Sequence, residues 1–489
     1  MLNHFQPEKT TWSVLVLTIL LVSLTGCTLN TATGKRQLTL IDEQQEISMG
    51  QEYNQTVLGQ YGLYQDEKVQ NYVKELGHKL AAVCERPNLP WEFYVIDDDT
   101  VNAFAVPGGY IYLTRGILAH FNSEAQLATV MGHEIGHVTA RHSVEQISRA
   151  QLAQLGVGIA MVASENFREY AGLAQLGLGV LFLKFSRDDE SQSDKLGMRY
   201  LLKAGYDPRE APKVFEMLGK HSAAQGYGRL PEWQATHPSP DRRAAKMTER
   251  VKRLPVEKQT GTVNREKFLD MINGITFGSD PTQGYSIGST FYHPGMAFQM
   301  DFPKDWQIVN QAQMVAGVSP KEDAYVLLQL AQGKSVYEAE QNFFSQEGIQ
   351  KGASWGNGFT QFTVTPQSDA MGNTSTPMQG TVGFINHRGI IFQLASCTSS
   401  DQWFLYNQPM QQALFSFRQL TNRTYLDVQA KRIEIVKLNR PMTLQEFNRS
   451  YPSTIQLEEL AVLNGVDVQS KLDKGTLVKR VTGADPPTQ

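Results

Sequence analysis

The spacing of apolar positions changes several times along the chain, and each change marks a predicted element. From Ser13 to Leu24 the chain is a nearly unbroken apolar run. It is too short to span a bilayer and has the length of a signal-peptide core. Trp91–Ile96 and Asn102–Val106 read as strands, and Pro107-Gly108-Gly109 turns the second into a third at Tyr110–Thr114. From Leu127 the period becomes helical: Leu127, Val130, Met131, Ile135 and Val138 share one face. Ser123 and Gln126 form a capping box ahead of them. A second helix opens at Ser186-Arg187-Asp188-Asp189-Glu190 and closes at Ala204-Gly205, with Pro208 beyond. Between the two helices, Leu152–Ala163 and Ala171–Phe185 are apolar and glycine-rich, separated by Glu165, Arg168 and Glu169. Neither reaches the ~20 residues of a spanning helix, so a helical hairpin is expected, with contact at a membrane interface as the alternative.

Beyond residue 253 a helix at Arg265–Ile275 leads into the turn-rich stretch Phe277-Gly278-Ser279-Asp280-Pro281. Phe291–Phe302 and Val326–Leu330 then read as strands, Tyr337–Glu347 as a helix, Gly380–Phe384 with Gly389–Ser396 as a hairpin, and Met410–Phe417 as a closing helix. The tail has a strand-helix-helix-strand order. The expected fold class is α+β: a mainly helical domain with a small mixed sheet over 40–253, a linker over 254–285, an α+β sandwich over 286–420 and a small module over 428–483.

Chemistry concentrates in His133-Glu134-Ile135-Gly136-His137. Histidines four apart lie on one face of a helix, so both imidazoles can reach one metal ion, and Glu134 is placed to take a proton from water there. Gly132 and Gly136 weaken the helix by ~1 kcal/mol each relative to alanine, and their missing side chains would let another element pack close. Glu190 and Asp194, also four apart, share a face of the acidic helix. They are candidates for the third ligand and for a carboxylate that orients a ligand histidine. Taken alone, they would more simply be a solvated first turn complementing the helix dipole.

Gly132–Val138 together with Ala140-Arg141-His142-Ser143 resembles the M48 family of zinc metallopeptidases. The Glu190/Asp194 helix with Gly197, the run Thr236-His237-Pro238 followed by Arg243, and Asn102–Gly109 resemble further signature blocks of that family, in the same order. The resemblance spans about residues 40–250. It implies a gluzincin-like fold and one zinc ion per chain on His133, His137 and Glu190, with Glu134 as base. Asp194 and Arg243 are then supporting residues. His237 becomes an active-site residue, either stabilising an oxyanion or binding zinc as a fourth ligand. An edge strand carrying Asn102, Ala103, Phe104 and Ala105 could hold an extended peptide through its backbone. Gly284–Phe302 is similar to the extension of longer bacterial members. The tail, with its Leu463-Asn464-Gly465 and Gly475–Lys479 phrases, resembles a LysM-like module, which implies contact with peptidoglycan; a generic α/β cap accounts for it equally well.

Leu24-Thr25-Gly26-Cys27 resembles a bacterial lipobox. That implies acylation of Cys27, attachment to a membrane on the periplasmic side and, with Thr28 following, sorting to the outer membrane. Cys84 and Cys397 could pair in such a compartment. At 489 residues the chain is long enough for two or three domains. A net charge of −4 without a basic tract excludes a nucleic-acid binder. The expected function is hydrolysis of misfolded or unassembled envelope proteins. A non-catalytic, chaperone-like assembly factor tethered to the cell wall is the alternative.

Overall fold

A computed structural model describes residues 27–154, 185–224, 237, 240–355, 358–366 and 376–488. The signal segment, most of the apolar stretch between 152 and 185, and the residues flanking His237 lie outside the described residues. Two compact units emerge. One comprises residues up to 58, 63–277 and 432–482; the other comprises 59–62, 278–431 and the residues after 482.

The first unit begins with a short hairpin, β1 (Cys27–Leu29) and β2 (Arg36–Leu38). Helix α1 (Glu43–Tyr61) follows, then α2 (Glu67–Ala81), which Asp66 caps by accepting from the Val69 N–H. Val69, Val73, Leu76 and Leu80 form the buried stripe of α2. Strands β3 (Glu92–Ile96), β4 (Ala103–Val106) and β5 (Tyr110–Thr114) make a sheet of order β3-β5-β4, where the sequence pattern predicts strands. The central β5 is parallel to β3 and antiparallel to β4, and it is buried throughout. Helix α3 (Arg115–His120) leads to α4 (Glu124–Thr139), every residue of which is buried. Ser123 caps α4 as predicted, but Gln126 returns its carbonyl to the Asn122 N–H rather than to Ser123.

Helices α5 (His142–Gln154), α6 (Arg187–Lys203), α7 (Glu210–Ala224), α8 (Pro240–Lys252) and α9 (Arg265–Ile272) complete this part. The apolar and acidic residues of α6 bury together, because Glu190, Ser193, Asp194, Gly197 and Leu201 follow one helical stripe. That stripe packs on α4 through glycines. A Cβ on Gly197 would lie 2.9 Å from His133 N, and one on Gly136 would lie 3.0 Å from Ser193 O.

The second unit holds two antiparallel sheets. The smaller has the order β16-β8-β7-β6, from β6 (Tyr285–Ile287), β7 (Thr290–His293), β8 (Phe298–Asp301) and β16 (Arg418–Gln419). The larger has the order β12-β13-β14-β15-β11-β10-β9, from β9 (Gln307–Asn310), β10 (Met314–Val318), β11 (Ala324–Leu330), β12 (Ile349–Trp355), β13 (Phe359–Val364), β14 (Met378–His387) and β15 (Ile390–Ser399). Helices α10 (Val336–Phe344) and α11 (Trp403–Phe415) accompany it. Phe291, Phe298, Val326, Leu394 and Met410 share one core. His293 is buried there and accepts from the Met296 N–H, a structural role.

The tail runs β17 (Arg432–Lys437), α12 (Leu444–Ser450), α13 (Leu457–Asn464) and β20 (Leu477–Thr482), with β18 (Met442–Thr443) and β19 (Lys471–Leu472) pairing between them. Its packing departs from the sequence expectation of a separate module. Ile433, Phe447, Leu460, Leu463 and Val481 belong to the same hydrophobic core as α2 and α4. The expected linker departs likewise, since α9 buries Phe268, Leu269 and Ile272 in that core. Both segments carry apolar stripes that would otherwise face water. Cys84 and Cys397 are both free thiols.

Candidate metal centre

Because α4 and α6 meet through glycines, their functional side chains face one another at short range. His133 and His137 come from α4, Glu190 from α6, and His237 from the segment before α8. Their donor atoms all lie within 4.8 Å of one another, and all four residues are buried. His133 Nε2 lies 3.0 Å from His137 Nε2, 3.4 Å from His237 Nδ1 and 3.6 Å from Glu190 Oε2. Glu190 Oε1 lies 3.3 Å from His137 Nε2 and 2.8 Å from His237 Nδ1. Zinc with donors at 2.0–2.1 Å in tetrahedral array requires donor separations of about 3.3–3.4 Å, so these residues fit that ion.

Two further residues lock the donors. Asp194 Oδ1 lies 3.1 Å from His133 Nδ1, the nitrogen turned away from the centre. Arg243 is buried, only 5% exposed. Its guanidinium lies 2.8 Å from Glu190 Oε2 and 2.7 Å from Asp194 Oδ1, and it stacks on Phe215. Glu134 is different. It is 1% exposed, and neither carboxylate oxygen has a hydrogen-bond partner among the described residues. His237 faces it, with Nε2 3.8 Å from Glu134 Oε1.

Burial sets the protonation states. It pushes the Glu134 carboxyl well above the usual range, and Glu190 adds to the effect against Arg243. Burial lowers the His133 imidazole to about 3, assisted by Arg243, and lowers His137 as well. Both are therefore neutral, the form a metal requires. Burial opposes ionisation of Glu190 and Asp194, but His237 and Arg243 overcome it for Glu190, and chiefly Arg243 for Asp194. Both stay carboxylates.

The structure thus brings His133, Glu134, His137, Glu190, Asp194, His237 and Arg243 together. Asn102 stands just ahead of β4, whose Ala103, Phe104 and Ala105 form an edge of the three-stranded sheet. The side chain of Cys27 lies outside the described residues. Sequence reasoning quoted His142 and gave it no role. It is 2% exposed, with its Nδ1 3.0 Å from His137 Nδ1.

An H-E-x-x-H helix facing an acidic helix, with a buried glutamate beside the donors, defines a metallopeptidase domain. Residues 67–251 match peptidase family M48, so the chain carries a metallopeptidase domain of that family. It is 35% identical over 209 residues to the mitochondrial metalloendopeptidase OMA1 of Arabidopsis thaliana, covering 42% of this chain and 41% of that one. It is 32% identical over 220 residues to the beta-barrel assembly-enhancing protease of Escherichia coli O157:H7, covering 43% and 44%. Against the Schizosaccharomyces pombe OMA1 it is 32% identical over 227 residues, covering 46% and 66%. The chain thus spans less than half the length of the first two relatives.

Proposed function

We propose that this chain is a zinc-dependent endopeptidase that cleaves misfolded or unassembled cell-envelope proteins, with Glu134 as general base. One observation carries the reading: Glu134 is buried beside the donor set, and neither of its oxygens has a hydrogen-bond partner among the described residues. A structural metal site has no use for such a group, since leaving it without a partner costs stability. The bacterial relative's name, a beta-barrel assembly-enhancing protease, supports the envelope substrate class.

Zinc held by His133, His137 and Glu190 would supply Lewis-acid polarisation and a more acidic water. Glu134 does the proton work. Burial raises its affinity for a proton, and its position beside the donors suits it to accept one from the attacking water and deliver it to the leaving amine. His237 faces the same space and is placed to stabilise the oxyanion. The alternative is that it serves as a fourth donor and holds the site latent. Asn102–Ala105 would align an extended peptide along the edge of β4. Lipid on Cys27 would anchor the protein to the periplasmic face of the outer membrane. The first residues after Cys27 are fixed to the metal helix, since Asn30 donates to Thr139 O (3.1 Å) and Gln37 donates to Ala140 O (2.6 Å). No described helix is long and apolar enough to cross a membrane. The tail would add peptidoglycan contact.

Purified wild type and Glu134→Gln, given unfolded outer-membrane proteins, test this reading. Amide for carboxylate preserves shape and removes proton transfer, so cleavage should fall at least ~10²–10⁴-fold with zinc still bound. Equal turnover in the two proteins would move the base elsewhere. Absence of cleavage by both, with assembly of those proteins still assisted, would favour the non-catalytic assembly factor.

A further inference from the structure

A histidine that gives one ring nitrogen to a metal carries its proton on the other, and that proton needs an acceptor. For His133 the acceptor is the Asp194 carboxylate. At His137 the atom facing Nδ1 is instead another imidazole nitrogen, His142 Nδ1, at 3.0 Å. Two imidazoles share one hydrogen bond only if one donates and the other accepts. The direction must therefore be decided outside the pair.

It is decided on the far side of His142. There its Nε2 lies 2.8 Å from Gln192 Oε1 and 3.7 Å from Asp189 Oδ1. Both neighbours accept, so the His142 proton sits on Nε2 and Nδ1 keeps its lone pair. Ser193 Oγ, 3.4 Å from the same Nδ1, can donate to it and fits that assignment. Taking the zinc reading above as its basis, we propose that His142 is a positioning residue: a neutral imidazole acceptor that fixes the tautomer and ring angle of His137 and so sets zinc affinity. The reverse arrangement fails. With a proton on His142 Nδ1, His137 would carry its own on Nε2, pointing into the donor set, and could not ligate.

Zinc affinity of the full chain, measured by chelator competition, tests this. His142→Phe keeps a buried ring and removes the acceptor, so affinity should fall by ~10–100-fold. His142→Asn places a carbonyl oxygen near the lost Nδ1 and should stay close to wild type. Melting of the zinc-free proteins reports folding separately. Wild-type affinity in a folded His142→Phe overturns the inference, as does a loss in His142→Asn equal to that in His142→Phe. Should His142→Phe not fold, His142→Asn decides alone: retention supports the acceptor role and a 10–100-fold loss overturns it. A wild-type chain that binds no zinc overturns the zinc reading itself, and the inference with it.

Discussion

His237 has the most divided role of any residue in the centre. Its Nδ1 sits among the metal donors while its Nε2 faces Glu134. As a fourth donor it would occupy the position that a hydrolytic zinc keeps open. His237→Ala should then raise basal cleavage of an unfolded substrate. If it serves the oxyanion instead, the same variant should lose about 2.7–4 kcal/mol of transition-state stabilisation. Unchanged turnover would remove His237 from the reaction. At this scale the sequence was informative wherever a role follows from local spacing. His133, Glu134 and His137 follow from helical periodicity, and Glu190 with Asp194 from theirs. It was silent where a role depends on elements far apart in the chain. Nothing local says that Arg243 is buried between two carboxylates of α6, or that the far nitrogen of His142 meets Gln192.

At the scale of elements, the α4–α6 contact governs the centre. Gly197 lies so close to His133 that a methyl group must displace backbone, which typically costs 1–3 kcal/mol. Gly197→Ala should lower the melting temperature and weaken zinc binding together, because the two helices carry the ligands. A variant with wild-type melting and affinity would show that the contact has room to yield. Strong patterns were legible here: β3 to β5, α4 and α6 fall close to where apolar spacing and capping residues put them. Helix α11 was misread. Its first half lies ahead of Pro409, which normally ends a helix, yet it continues through the proline. Tyr406 and Met410 on either side are buried in the second unit's core, and that tertiary packing outweighs local propensity.

On the scale of the whole molecule, the tail belongs to the peptidase unit. Lys479 shows how closely. It has 0% exposure and donates to the carbonyls of Ala119 and Phe121, both at 2.9 Å, at the end of α3. A lysine is rarely buried so completely unless its donors are satisfied. Deleting 432–489 would expose the apolar faces of α3, α7 and α9 and orphan those carbonyls. The shortened chain should melt far below the full one, or fail to stay soluble. Equal melting temperatures would show the tail to be an independent module after all. The packed unit runs past 253 to 277 and takes in 432–482; composition reports turn residues, and packing between α9, the tail and α4 leaves no mark in local spacing.

The zinc centre carries the whole account, and metal content tests it most directly. Elemental analysis of purified full-length protein should give one zinc per wild-type chain. His133→Ala and Glu190→Ala should be strongly depleted, while Glu134→Gln stays fully loaded, because Glu134 stands beside the donors and is not one of them. Full occupancy in His133→Ala or Glu190→Ala, or loss of zinc in Glu134→Gln, would contradict the ligand set and the assignment of Glu134 as base.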